Sequence, residues 1–272
     1  MRALLLLLVA AAACTSSSPS VPTARPAALG ETVTIPSRVL GERRVINVYL
    51  PPDYATSKVH YPVLFVLDGG MAEDFPHVVG SVDVSIKNAV IRPVIVVGIE
   101  NTVRRRDLVG PTTIPEEQTA APQAGGATKF RAFLREELKP WVTSRYRTTA
   151  EAAVIGESLA GLFVVETFVT EPSLFTGYIA ADPSVWWNEE ALVRGAAPQL
   201  AGCCARPTSL YIASAPESRQ EAVDELVSLL RIYQPPNLVW RHEPMLDAEH
   251  GTIFPTAALH GIRMTFAPHS SE

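Results

Sequence analysis

The sequence predicts an α/β protein: a mostly parallel twisted sheet with an antiparallel N-terminal edge and helices on both faces. Three observations carry this expectation. Short, continuously apolar runs such as Val63–Leu67 and Val94–Ile99 read as strands buried on both sides. Segments with apolar residues at helical spacing alternate with them, as crossover connections require. Between a small apolar run, Ala152–Ile155, and a helical one starting at Leu162, the chain makes a glycine-rich turn centred on Ser158. With 272 residues, 47% of them hydrophobic, the chain can bury one large core, and a single domain over 31–272 is expected.

In chain order, alternation from Glu31 to Pro51 around Gly41-Glu42 predicts two antiparallel strands. The Val63–Leu67 strand ends in Asp68-Gly69-Gly70, and a helix follows from the low seventies to about Ala89. After the Val94–Ile99 strand comes a long stretch from Glu100 to about Ala127, carrying Arg104-Arg105-Arg106-Asp107. A connection of that length is typical of a functional loop. Phe130, Phe133, Leu134, Leu138 and Trp141 give an amphipathic helix before the Ser158 turn. Gly177–Ala181 and Leu210–Ala213 are further strands, a helix spans about Arg219 to Tyr233, and Asn237–His242 is the last strand. This is the element order of an α/β-hydrolase.

The N-terminus differs in kind. Arg2 precedes an apolar run, Ala3–Ala13, too short to span a bilayer but suited to a signal-peptide core, so residues 1–13 are expected to be cleaved. Small residues lead straight to Cys14, resembling a bacterial lipobox in which that cysteine is lipidated, although Ala11 stands where leucine is usual. Simple cleavage after Ala-x-Ala, giving a soluble exported protein, is the alternative. Residues 14–30 then read as a Ser/Pro-rich tether. The expected location is the bacterial cell envelope, periplasmic or membrane-anchored through Cys14. A formal charge of −5 argues against a nucleic-acid partner. The adjacent Cys203 and Cys204 form no cross-chain disulfide framework and no Cys/His spacing suggests a metal, so no metal or cofactor is expected.

The chemistry centres on Gly156-Glu157-Ser158-Leu159-Ala160-Gly161. A serine at a strand-to-helix turn is held strained, with its hydroxyl exposed at the top of a sheet. Backbone must pack on backbone there, so tiny residues are needed two positions to either side, here Gly156 and Ala160. The competing expectation is an ordinary turn in which Ser158 caps the helix. An activated serine needs a base, and the base an orienting carboxylate, in the chain order serine, acid, histidine. His250 follows the last strand and is the expected base. His242 falls within a strand, His260 in the final helix, His269 in the tail, and His60 and His77 precede the turn. Glu217, just after the Leu210–Ala213 strand, is the favoured acid, with Asp182 its main rival and Asp224 a weaker one. The oxyanion donors are expected to be the N–H groups of Leu159 and, from the Asp68-Gly69-Gly70 loop, Gly70.

Five segments in order, Tyr61–Gly69, Arg104–Leu108, Gly156–Leu162, Pro183-Ser184-Val185-Trp186-Trp187 and His250-Gly251, resemble the putative esterase (esterase D-like) family. That family includes siderophore esterases, S-formylglutathione hydrolase, feruloyl and acetylxylan esterases, and mycolyltransferases. The resemblance spans about residues 31–265. It implies a serine esterase acting on a small-molecule ester, with a siderophore-type ester as first expectation. It supports Glu217, because the siderophore-esterase and mycolyltransferase branches carry a glutamate in the matching region. It also implies Arg106 as a contact to an anionic ligand, while Trp186 and Trp187 could wall the pocket or simply pack in the core. Asp182 stands where siderophore-type members tend to have serine, which keeps it open as the acid. Two alternatives remain: acyl transfer to a sugar, as in the mycolyltransferase branch, and a non-catalytic binding lipoprotein on the same fold.

Overall fold

The computed structural model describes residues 29–216 and 220–268. The expected signal peptide, tether and Cys14, the favoured acid Glu217, and His269 lie outside the described residues.

The two predicted N-terminal strands are β1 (Glu31–Ser37) and β2 (Glu42–Tyr49), antiparallel around the turn at Gly41. β3 (Tyr61–Val66) leads through Asp68–Asp74 into α1 (Phe75–Lys87), and β4 (Ile95–Ile99) follows. The long connection after β4 contains two short helices, α2 (Arg104–Asp107) and α3 (Pro115–Ala120). The amphipathic segment is one continuous rod built from α4 (Ala127–Phe133), a π-helical turn (Leu134–Leu138) and α5 (Lys139–Arg145).

β5 (Thr148–Glu157) and α6 (Leu159–Thr170) flank Ser158, and β6 (Gly177–Ala181) follows. Two short helices, α7 (Trp187–Arg194) and α8 (Ala197–Ala201), precede β7 (Thr208–Ser214). The chain then runs through α9 (Gln220–Tyr233), β8 (Leu238–Pro244) and α10 (Phe254–Thr265).

Among the described residues, eight strands form one sheet in the order β1-β2-β4-β3-β5-β6-β7-β8. The β1–β2 and β2–β4 pairs are antiparallel, and every pair from β4 through β8 is parallel. Alternation along β3 divides the core. Val63 and Phe65 face the side that carries α6 and α9, while Leu64 and Val66 face α1 and α10. Because the central strands are parallel, their C-terminal ends share one edge, where ligands of open α/β sheets bind. The ends of β3, β5, β6 and β7 therefore bring Asp68, Ser158, Asp182 and Ser214 to a common rim.

The β2 edge is tied to the long connection by a buried ion pair. Arg44 Nη1 donates to Asp107 Oδ2 at 2.5 Å, with both side chains almost completely buried. The guanidinium lies 5.2 Å from the centroid of the Phe130 ring and also donates to the Glu100 carbonyl at 3.0 Å. Cys203 and Cys204, expected to be a plain loop pair, are joined to each other by a disulfide. The bridge spans a single peptide bond, so it staples no distant segments together. Among the described residues, no helix is long and apolar enough to cross a membrane.

Candidate active site

Ser158 sits between β5 and α6 with φ 58° and ψ −118°, a conformation that a non-glycine residue adopts only when its surroundings enforce it. The surroundings are tight. A Cβ added at Gly156 would come within 2.6 Å of Ala160 Cβ and 2.7 Å of its carbonyl carbon. Two backbone bonds hold the turn to the end of β6: Ser158 N–H donates to the Ala181 carbonyl, and Ser184 N–H to the Ser158 carbonyl, each at 3.0 Å. Ser158 occupies the N-cap position of α6, yet its hydroxyl makes no capping bond. That removes the helix-cap alternative. The hydroxyl instead lies 3.1 Å from His250 Nε2 and 3.4 Å from Ser184 Oγ.

His250 stands on the loop between β8 and α10, its side chain about half exposed, and its Nδ1 is 2.5 Å from Asp182 Oδ2. An ionised carboxylate only accepts, so Nδ1 carries the proton and Nε2 is left free to accept from the Ser158 hydroxyl. Asp182 has a fully buried side chain and a strained φ of 43° at the end of β6. Its other oxygen accepts the Ala215 N–H at 2.9 Å, and its own N–H donates to the Ala213 carbonyl at 2.8 Å. Among the described residues, the carboxylate beside the imidazole is that of Asp182, the rival acid; Glu217 lies outside them. The reason is topological: β6 lies directly beside β5, so the first residue past its end reaches the histidine that meets Ser158. Asp224 lies on α9 and His242 on β8, where His242 Nε2 pairs with Ser214 Oγ at 2.9 Å.

The loop after β3 lies alongside. Asn47 Nδ2 donates to the Gly69 carbonyl and Gly69 N–H to the Ile99 carbonyl, both at 2.9 Å. Arg104 grips Asp68 with two bonds of 2.8 and 2.7 Å, and its Nη2 is 3.4 Å from the Glu157 carbonyl. Arg104 thereby bridges this loop to the serine turn. Arg106, the arginine singled out from the resemblance, is directed elsewhere. It bonds Glu42 at 3.0 and 2.6 Å and Asp107 at 2.7 Å, completing the Arg44 network that anchors β2. Both arginines are charged, and sequence spacing alone does not say which side of a one-turn helix faces the serine.

The tryptophans also separate. Trp187 is buried, donates from Nε1 to the Gly110 carbonyl at 3.2 Å, and is a packing residue. Trp186 is only partly buried, its ring centroid 6.3 Å from that of Trp187. Beyond them, Asn188, Glu189 and Glu190 all have φ between 51° and 63°. The Asn188 N–H donates to the Glu117 carboxylate at 3.1 Å, and its Oδ1 accepts from Thr113 N–H at 3.1 Å. The long connection after β4 and the segment after β6 therefore hold each other.

The sequence model of the family described as Putative esterase matches residues 37–215, about two thirds of the chain. The chain belongs to this family. As a putative esterase it is 30% identical over 175 residues to the ferri-bacillibactin esterase BesA of Bacillus subtilis, a match covering 56% of this chain and 58% of BesA. A siderophore enterobactin esterase of Emericella nidulans is 33% identical over 94 residues, 32% of this chain and 31% of that protein. The matches thus span from 31% to 58% of the length of these curated relatives. Among solved structures, an IroE-like serine hydrolase from Shewanella oneidensis superposes with a TM-score of 0.78 at 27% identity, covering 87% of this chain and 79% of that one. The fold is that of the α/β-hydrolases.

The charges around the serine turn are crowded. Burial pushes Glu157 up to about 7, with Asp74 and Asp68 adding to the rise and His250 and Arg104 opposing it. Burial likewise pushes Asp74 up to about 6, with Asp68 adding to it. Two further residues meet the site without a role assigned from the sequence. Ser184 lay in plain view in the Pro183–Trp187 segment. Glu73 gave no signal, because only the folded turn returns its side chain to Gly70.

Proposed function

We propose that the chain is a serine carboxylic-ester hydrolase working through Ser158, His250 and Asp182. The observation that supports it most is the unbroken line from Ser158 Oγ to His250 Nε2 and from His250 Nδ1 to Asp182, on a backbone strained at both ends. His250 takes the Ser158 proton as Oγ forms a bond to the ester carbonyl carbon. The carbonyl π electrons move to oxygen, and the N–H groups of Leu159 and Gly70 are the proposed donors to that oxyanion. Collapse breaks the bond to the leaving alcohol, which departs with the proton from His250. Water, giving a proton to His250, then releases the acid and restores Ser158. Buried Asp182 holds the imidazole in the required tautomer and stabilises its cation.

A siderophore-type ester is the proposed substrate, supported by the curated relatives and by the half-exposed side chain of His250. Purified protein should hydrolyse p-nitrophenyl acetate and butyrate and should open a ferric siderophore ester, with product acids resolved by mass spectrometry. Turnover retained by Ser158→Ala or His250→Ala would sink the mechanism. We also propose export with lipidation at Cys14, supported by the Ala3–Ala13 run leading to that cysteine. Cys14→Ser should move the protein from the membrane fraction to the soluble one.

A further inference from the structure

The N–H proposed as the second oxyanion donor is already engaged. Gly70 N–H donates to Glu73 Oε2 at 2.7 Å. The turn that makes this possible is closed by Glu73 N–H donating to the Gly70 carbonyl at 3.1 Å, which folds the side chain back over residue 70. Asn101 holds the carboxylate there, its Nδ2 donating to Oε1 at 2.9 Å and its N–H lying 3.4 Å from Oε2. The same Nδ2 donates to Asp68 Oδ1 at 2.5 Å, and Arg104 joins Asp68 to the Glu157 carbonyl. One hydrogen-bonded path therefore runs from the residue before the nucleophile to the donor at Gly70. Glu73 and Glu100 also crowd the α-carbon of Gly70. A Cβ built on Gly70 would meet Glu73 Oε2 at 2.7 Å and Glu100 Cγ at 2.9 Å.

We propose that Glu73 is a gate on the oxyanion site: its carboxylate occupies the Gly70 N–H in the free protein and must leave before an ester carbonyl can be activated there. The inference rests on the serine-hydrolase reading. A carboxylate on an amide N–H makes a charge-assisted bond, stronger than that to a neutral ester oxygen. A developing oxyanion is itself negative, and two anions cannot share one donor in a partly dry site. The closed form thus reduces apparent affinity for tetrahedral species by the fraction of molecules in which the donor is free. Asn101 Nδ2 bonds Oε1, the oxygen that does not face Gly70, and so gives the displaced carboxylate a place to stay.

The test is the affinity of the full chain for butaneboronic acid, whose adduct on Ser158 presents an anionic oxygen to the same donors, with fluorophosphonate labelling of Ser158 in parallel. Glu73→Ala should bind the boronate about tenfold tighter than the parent and label faster. Glu73→Gln keeps an acceptor without its charge and should fall between them. It carries the test if the alanine variant does not fold. Labelled Ser158 with equal or weaker boronate binding in the variants would overturn the gate and leave the hydrolase standing, with Glu73 merely bracing the turn. Labelling of the variants but not the parent would support both proposals. No labelling of Ser158 in any form would overturn both.

Discussion

Two serine–histidine pairs stand on the C-terminal rim of the sheet, and their distances would rank them the wrong way round. Ser214 Oγ lies 2.9 Å from His242 Nε2, closer than the 3.1 Å between Ser158 Oγ and His250 Nε2. Yet Ser214 is fully buried in the regular backbone of β7, where no substrate can reach it. Burial also holds His242 below the ordinary histidine value. Ser158 occupies a strained turn at the rim, and its histidine is half exposed and backed by a buried carboxylate. Proximity makes a hydrogen bond. Strain, access and an orienting acid are what make a nucleophile.

The sharpest way to break that contrast is to remove each serine in turn. Ser158→Ala should lower kcat for p-nitrophenyl butyrate by about 10⁴-fold or more, whereas Ser214→Ala should leave it within about threefold. Comparable losses in both would mean that the pairs are not distinct in kind. Next in size, Asp182→Asn should cost about 10³–10⁴-fold in kcat through the wrong histidine tautomer, with the fold intact by circular dichroism. Glu217→Gln should change kcat little; the reverse ranking would give the acid role to Glu217.

Smaller effects concern stability. Ser214→Ala should lower unfolding free energy by about 1 kcal/mol in urea titrations, the ordinary worth of one buried hydrogen bond. The last test is pH. Glu157 is raised from 4.5 in a model peptide to about 7 in the fold, so the folded state binds more protons than the unfolded one between those values. Stability from this group is full below the lower value and is lost as pH rises through the upper. Glu157→Gln should therefore raise Tm at pH 8 and leave it nearly unchanged at pH 4; an equal gain at both would remove burial as the cause.

Much of this was legible in the sequence because the signals are local. The Gly156–Gly161 turn requires small residues wherever it occurs, and continuous apolar runs such as Val94–Ile99 have few other uses. His250 follows from chain order. The carboxylate that meets it does not, because Asp182 and Glu217 both follow apolar strands, and the adjacency of β6 to β5 is what brings Asp182 to the imidazole. Arg104 and Arg106 are indistinguishable in charge and differ only in which face of a short helix they take. Glu73 was invisible for a related reason: its partner is a backbone N–H, which every residue but proline possesses.

The lacing between the strand ends has a further consequence. Ser158 N–H is held by the Ala181 carbonyl, and Asp182 by the Ala213 carbonyl and the Ala215 N–H, so neither strained residue can relax while β5, β6 and β7 stay aligned. Once β6 slips from a neighbour, both return to ordinary backbone and the histidine loses its anchor in the same event. Heat should thus not produce a population of weakened catalysts. Residual turnover after a thermal challenge would count intact molecules, each at full speed, and the activity of a preparation becomes a direct census of its native fraction.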